Sequence, residues 1–121
     1  MQREGKVWGT TTLLFHRGNF EVHEIFAEKG GYCSQHYHQC KYNTFIVKSG
    51  RLKVSVFTKN TYGDLQTMHE DITVLREGEE LTIPPGVIHQ FEALTDVEAL
   101  EVYWVELQPT DIKRITQGGK H

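Results

Sequence analysis

Three histidines in two short segments carry the chemistry of this chain. His36 and His38 stand in Gly31-Tyr32-Cys33-Ser34-Gln35-His36-Tyr37-His38, and His89 closes Pro84-Pro85-Gly86-Val87-Ile88-His89. Neutral imidazole is the commonest side-chain ligand for a metal ion. In an extended chain successive side chains alternate sides, so His36 and His38 share a face and Tyr37 takes the other. Two such rings can converge on one ion, with metal–nitrogen bonds of about 2.0–2.1 Å for zinc. His89 must then arrive from a distant strand, placed by the Pro85-Gly86 turn. Proline presets φ at the second position of a type II turn and glycine supplies the positive φ at the third. A divalent ion held there would polarise a carbonyl or hydroxyl oxygen, or acidify a bound water.

The residue that would complete such a set is Asn43. In one continuous strand from His38 it would face the wrong way. A tight turn around Gln39-Cys40-Lys41 resets the parity, so that Asn43 begins the partner strand and points inward beside His38. Asparagine offers a neutral carbonyl oxygen, or a hydrogen bond to a bound water; it also suits turns. Three neutral imidazoles without a carboxylate leave a divalent site at +2, which weakens affinity and makes bound water more acidic. Such sites exist, as in the zinc of carbonic anhydrase. Parity places Phe45 and Val47 on the Asn43 face and Phe91 on the His89 face. Glu101 and Tyr103 share a face, which is either solvent or the pocket. In the pocket, Glu101 is the candidate general base, a role that needs hydrogen-bond reach to the substrate proton. His23 is a lone strand histidine that could point inward. Cys33 and Cys40 flank the histidine pair as half-buried thiols, with Cys40 on the His36/His38 parity if the strand runs that far.

The elements that must position these residues read as strands. Phe20–Ala27, Thr44–Val47, Leu52–Phe57, Asp71–Leu75, Leu81–Ile83, His89–Ala93 and Val97–Glu106 alternate or run apolar. Turns rich in Gly, Pro, Asn and Asp separate them at roughly 8–12 residue spacing, the pattern of an all-β sandwich or barrel. Lys59–Met68 reads as a polar hairpin loop, Pro109–Arg114 as a turn of helix or a closing strand, and residues 115–121 as a flexible tail. A chain of 121 residues is enough for one domain, 1–121, with its core about 6–108. The net charge of −3 gives no global basic footprint for nucleic acid. No stretch approaches the roughly 20 apolar residues of a membrane span, and the start lacks a signal-peptide run, so a cytoplasmic location is expected.

These motifs resemble the cupin superfamily. Its first motif, a glycine, His-x-His, a glutamate and a further glycine, corresponds to Gly31, His36, His38, Asn43 and Gly50, with the glutamate replaced. Its second, Gly, then Pro-x-Gly, then His, corresponds to Gly78, Pro84, Gly86 and His89. The two motifs span residues 31 to 89. A narrower resemblance, to the mannose-6-phosphate isomerase-like cupins, rests on Lys6-Val7-Trp8-Gly9, Gly30–His36, Ile46–Gly50, Leu81–His89 and Glu101-Val102. The best comparison is the carboxy-terminal domain of the type II isomerases fused to GDP-mannose pyrophosphorylase. The resemblance implies a double-stranded β-helix (jelly-roll) barrel, a divalent metal (Zn, Fe, Mn or Ni) on His36, His38 and His89 with Asn43 assisting, a sugar or sugar-phosphate ligand, and a homodimer. It leaves three readings open: a sugar-phosphate isomerase, a three-histidine non-haem iron dioxygenase, and a non-catalytic sugar-binding or regulatory cupin.

Overall fold

Alternation along the strands is answered by two antiparallel sheets packed face to face. The computed structural model describes residues 3–58, 69–105, 116, 118 and 120. The described strands are β1 (Arg3–Lys6), β2 (Gly9–Arg17), β3 (Phe20–Ala27), β4 (Tyr42–Ser49), β5 (Leu52–Thr58), β6 (His69–Leu75), β7 (Glu80–Ile83), β8 (Ile88–Ala93) and β9 (Val97–Trp104). One sheet has the order β1-β2-β3-β9-β4-β7, and the other β6-β5-β8. The architecture is a single all-β, barrel-like domain, with no helix among the described residues. The loop expected at 59–68, the closing element at 109–114 and most of the tail at 115–121 lie outside those residues.

All seven strands read from the sequence are met within two residues at each end, the Thr44–Val47 reading being the core of β4. β1 and β2 were missed. β1 is exposed throughout, so burial imposes no alternation on it. In β2 a bulge at Leu14 lies between the pairs Leu13↔His23 and Phe15↔Val22, which shifts the parity mid-strand and erases the period of two. Val7 and Trp8 form the turn between β1 and β2.

The inward residues of five strands are sorted by polarity along the strand axis. On β3, β9 and β4 the apolar end holds Ile25, Ala27, Val97, Ala99 and Val47, all buried. Pairing then carries His23 to Glu101, Phe45 to Glu101, and Asn43 to Tyr103 at the other end. The facing sheet repeats the order: Leu52 pairs Ala93, Val54 pairs Phe91, and Val56 pairs His89. The core therefore fills one end of the barrel, and the polar groups gather at the other.

Two glycines enforce the connections. Gly50 sits between β4 and β5 with φ +85°, and a Cβ there would lie 2.2 Å from the Asp96 carbonyl oxygen. Gly86 has φ +81° in the turn between β7 and β8, as the Pro85-Gly86 reading requires. Its N–H donates to the His38 carbonyl at 2.8 Å, so this turn also fixes the backbone that carries His38.

Candidate metal site

His36 and His38 do not lie on a regular strand. The chain between β3 and β4 runs beside β8 and forms two isolated bridges to it, Tyr32↔Glu92 and His36↔His89. At the second bridge the His36 N–H donates to His89 O at 3.1 Å and the His89 N–H to His36 O at 2.9 Å. That mutual pair puts the two rings on one side of the backbone, with centroids 4.6 Å apart. His38, tied by Gly86, brings its ring to 5.2 Å from His36 and 5.6 Å from His89. The strand parity argued from sequence thus gave the right convergence through a different backbone. Cys40, extrapolated along that parity, is instead exposed in the bend after His38.

One nitrogen of each histidine lies within 4.8 Å of the others. Hydrogen bonding orients two of the rings. His36 Nδ1 lies 2.8 Å from Ser34 O, and His89 Nδ1 lies 2.9 Å from Val87 O. A carbonyl can only accept, so both Nδ1 atoms carry the proton and both Nε2 atoms present a lone pair, the arrangement that a backbone carbonyl imposes on a metal-binding histidine. His38 Nε2 is buried and has no hydrogen-bond partner. Burial, reinforced by His36, His89 and the Lys41 ammonium, lowers its pKa to about 4, and burial also lowers that of His89. Burial therefore favours the neutral form of His38 and His89, as ligation requires.

Asn43 is completely buried at the start of β4. Its Nδ2 donates to Glu101 Oε2 at 3.2 Å and lies 3.4 Å from His89 Nε2, while its Oδ1 has no partner. An orphaned amide oxygen and an orphaned imidazole nitrogen are each costly in a dry interior, and a cation between them would satisfy both. The donor set, three imidazoles and one amide oxygen, suits a borderline transition-metal ion such as zinc or iron.

Glu101 faces the pocket rather than solvent. Its carboxylate accepts from Asn43 and hydrogen-bonds the Tyr103 hydroxyl, and desolvation raises its pKa. Burial and the adjacent carboxylate raise that of Tyr103 as well. Phe45 and Phe91 face in, as expected, and Tyr37 faces out. His23 also turns inward, its Nε2 3.1 Å from Glu21 Oε2 and its ring 5.5 Å from Tyr103. A cavity of about 450 Å³ opens from this end, walled by Trp8, His23, Cys33, His36, Phe91 and Glu101. The Cys33 thiol is buried, accepts the Phe91 N–H at 3.2 Å, and is raised to about 11 chiefly by desolvation. Trp8, from the missed β1–β2 hairpin, packs edge-on to Phe91 at 5.0 Å. Its place in the wall followed from no local sequence signal.

A family model described as Cupin matches residues 6–120. The chain belongs to the cupin family. Solved structures share its fold at low identity. KdgF from Halomonas sp. is 13% identical, with a TM-score of 0.70 over 88% of this chain and 90% of that one. A cupin superfamily protein from Desulfitobacterium hafniense is 10% identical, with a TM-score of 0.64 over 79% and 76%. Oxalate decarboxylase from Bacillus subtilis is 18% identical, with a TM-score of 0.70 over 86% of this cupin but only 27% of that longer chain. Comparison with curated protein sequences gave no match.

Proposed function

We propose that this cupin is a divalent-metal enzyme that isomerises a small sugar phosphate. In this reading His36, His38 and His89 hold the metal, Asn43 assists, and Glu101 is the base. The observation that carries it is the placement of Glu101, whose carboxylate enters the histidine-walled cavity one hydrogen bond from Asn43. A bound divalent ion supplies polarisation of the carbonyl and hydroxyl oxygens. Glu101 takes the proton from the hydroxyl-bearing carbon beside the carbonyl and returns it to the former carbonyl carbon, while the hydroxyl proton of that neighbouring carbon passes to the former carbonyl oxygen, so atoms and electrons balance. Its raised pKa brings it closer to neutral pH, where a carboxylate base is more effective. Asn43 and Tyr103 hold the carboxylate from two sides, and Trp8 and Phe91 give the cavity an apolar wall. A cavity of about 450 Å³ leaves room for the sugar of such a substrate.

The test is an isomerase assay across aldose and ketose phosphates with zinc, iron, nickel or manganese; the Bacillus subtilis neighbour carries Mn(II) centres, which recommends manganese first. Glu101→Gln should keep the metal and lose at least about a hundredfold in kcat. Stoichiometric metal with no turnover of any sugar phosphate would sink the reading, and sugar binding under those conditions would mark a non-catalytic cupin. One observation favours an oxygenase instead: among the described residues no carboxylate joins the histidine trio. Oxygen consumption by ferrous protein decides that alternative. We also read the protein as a cytoplasmic homodimer. Both cysteines are free, as a reducing compartment would keep them, and Phe15, Phe20 and Phe26 are exposed on the larger sheet. Light scattering should give twice the 14.0 kDa chain mass.

A further inference from the structure

Beside the histidine site lies a second cavity of about 440 Å³, with Tyr37, His38, Gln39, Lys41 and Tyr103 in its wall. Lys41 stands out within it. The residue is half-buried, and its ammonium sits 4.7 Å above the Tyr103 ring. No carboxylate among the described residues pairs with it. The acid in the same wall, Glu21, is otherwise engaged: its Oε2 is 3.1 Å from His23 and its Oε1 is 3.8 Å from His16. Glu21 feels Lys41 only through space, its carboxyl pKa lowered chiefly by His23 and in lesser part by Lys41, so the half-buried ammonium makes no ion-pair contact of its own and is open to an anionic ligand. Tyr103 links this cation to the metal site, because the ring that carries Lys41 on its face has His38 5.1 Å away, edge-on. A ligand reaching both must carry a metal-binding oxygen at one end and an anionic group at the other.

We propose that Lys41 anchors the phosphate of the substrate, with Tyr103 as the platform that fixes its ammonium beside His38. The inference rests on the sugar-phosphate reading above and names the residue that makes the phosphate count. Lysine acts on phosphate as a point charge, so arginine should substitute for it and glutamine should not.

Isothermal titration of the zinc-supplemented full chain tests this with three probes: a hexose 6-phosphate, the same hexose unphosphorylated, and inorganic phosphate. The hexose phosphate should bind at least about tenfold more tightly than the hexose. That ratio should fall towards one in Lys41→Gln and persist in Lys41→Arg, both melting like the parent. The proposal is overturned if Lys41→Gln keeps the ratio, as it would if zinc alone held the phosphate. It is also overturned if the parent does not discriminate, or if inorganic phosphate binds as tightly as the hexose phosphate, which would mark a site for free anions. A Lys41-dependent ratio in a protein without isomerase activity would leave the anchor standing and remove only the catalytic reading.

Discussion

Asn43→Asp is nearly isosteric, yet it puts an anion where the structure has a hydrogen-bond donor. The amide nitrogen lies 3.2 Å from Glu101 Oε2. Two full charges at that separation repel by about 5 kcal/mol at an effective dielectric of about 20. The pair escapes by retaining one proton between them. Keeping that proton at pH 8 on a group with an unfolded pKa of about 4 costs about 1.4 kcal/mol per pH unit, again about 5 kcal/mol. The native variant then holds a proton that the unfolded chain has released, so its stability falls as pH rises above about 4. The loss relative to the parent should be about 1 kcal/mol at pH 5 and about 5 kcal/mol at pH 8. With an unfolding entropy of about 2.1 cal/mol/K per residue, this 121-residue chain should lose about 4 °C in Tm at pH 5 and about 20 °C at pH 8. Circular-dichroism melts in EDTA across that range measure it. Asn43→Asp/Glu101→Gln should recover most of the loss, because the glutamine amide can donate to the new carboxylate. A divalent ion should raise the Tm of Asn43→Asp more than that of the parent. A pH-independent drop below about 5 °C, or no rescue by Glu101→Gln, would refute the Asn43–Glu101 contact as the electrostatic centre of the site.

Three further outcomes follow from the same geometry. His89→Ala should abolish stoichiometric zinc binding by elemental analysis while removing a fully buried ring, whereas His23→Ala should leave metal content unchanged; equal metal in the parent and His89→Ala would remove the trio as the site. In metal-free protein His38 stays neutral down to about pH 4 while the unfolded chain protonates from about 6.5, so it contributes a loss of stability as pH falls through that window and none above it. After a discount for its half-buried position the difference from His38→Gln in urea melts should be about 1–2 kcal/mol, and parallel pH profiles for the two proteins would contradict it. Iodoacetamide at pH 8 should label exposed Cys40 well before Cys33, whose buried thiol is raised to about 11; comparable rates by peptide mass mapping would mean that the Cys33 pocket opens.

Much of this was legible in the sequence because the strands obey a period of two and the turns carry Gly, Pro and Asn. Phe45, Val47 and Phe91 could be placed inside by parity alone, and all three are buried. The reset of parity after His38 was also readable, because Gln39-Cys40-Lys41 had to turn for Asn43 to face inward. Other features depended on distant pairing. β2 carries a bulge, so its alternation is not a fixed sequence period. The segment with His36 and His38 reads as a strand in the sequence, but it meets the free edge of β8 at isolated bridges rather than along a continuous ladder. No local sequence feature singles out Lys41; its significance comes from Tyr103, which is more than sixty residues away and lies under its ammonium only after β4 and β9 pair.

The separation of polar and apolar residues along the same strands explains how chemistry can vary on this fold. Val47, Ala99, Ile25, Leu52 and Ala93 close one end of the barrel without a polar atom in their side chains. That end needs only apolar side chains of suitable volume, which many sequences supply. Neighbours at 10–18% identity can therefore share the architecture while saying nothing of the reaction. The other end is set by individual atoms. Exchanging a carboxylate for the amide of Asn43 leaves Phe45 and Val47, the next inward residues of β4, in place, but it changes which partner Glu101 can accept from and what net charge a bound ion would see. A buried donor–acceptor pair of this kind cannot be altered on one side alone without stranding a charge or a lone pair. Residues 43 and 101 therefore have to be read together, as one electrostatic unit joined across β4 and β9.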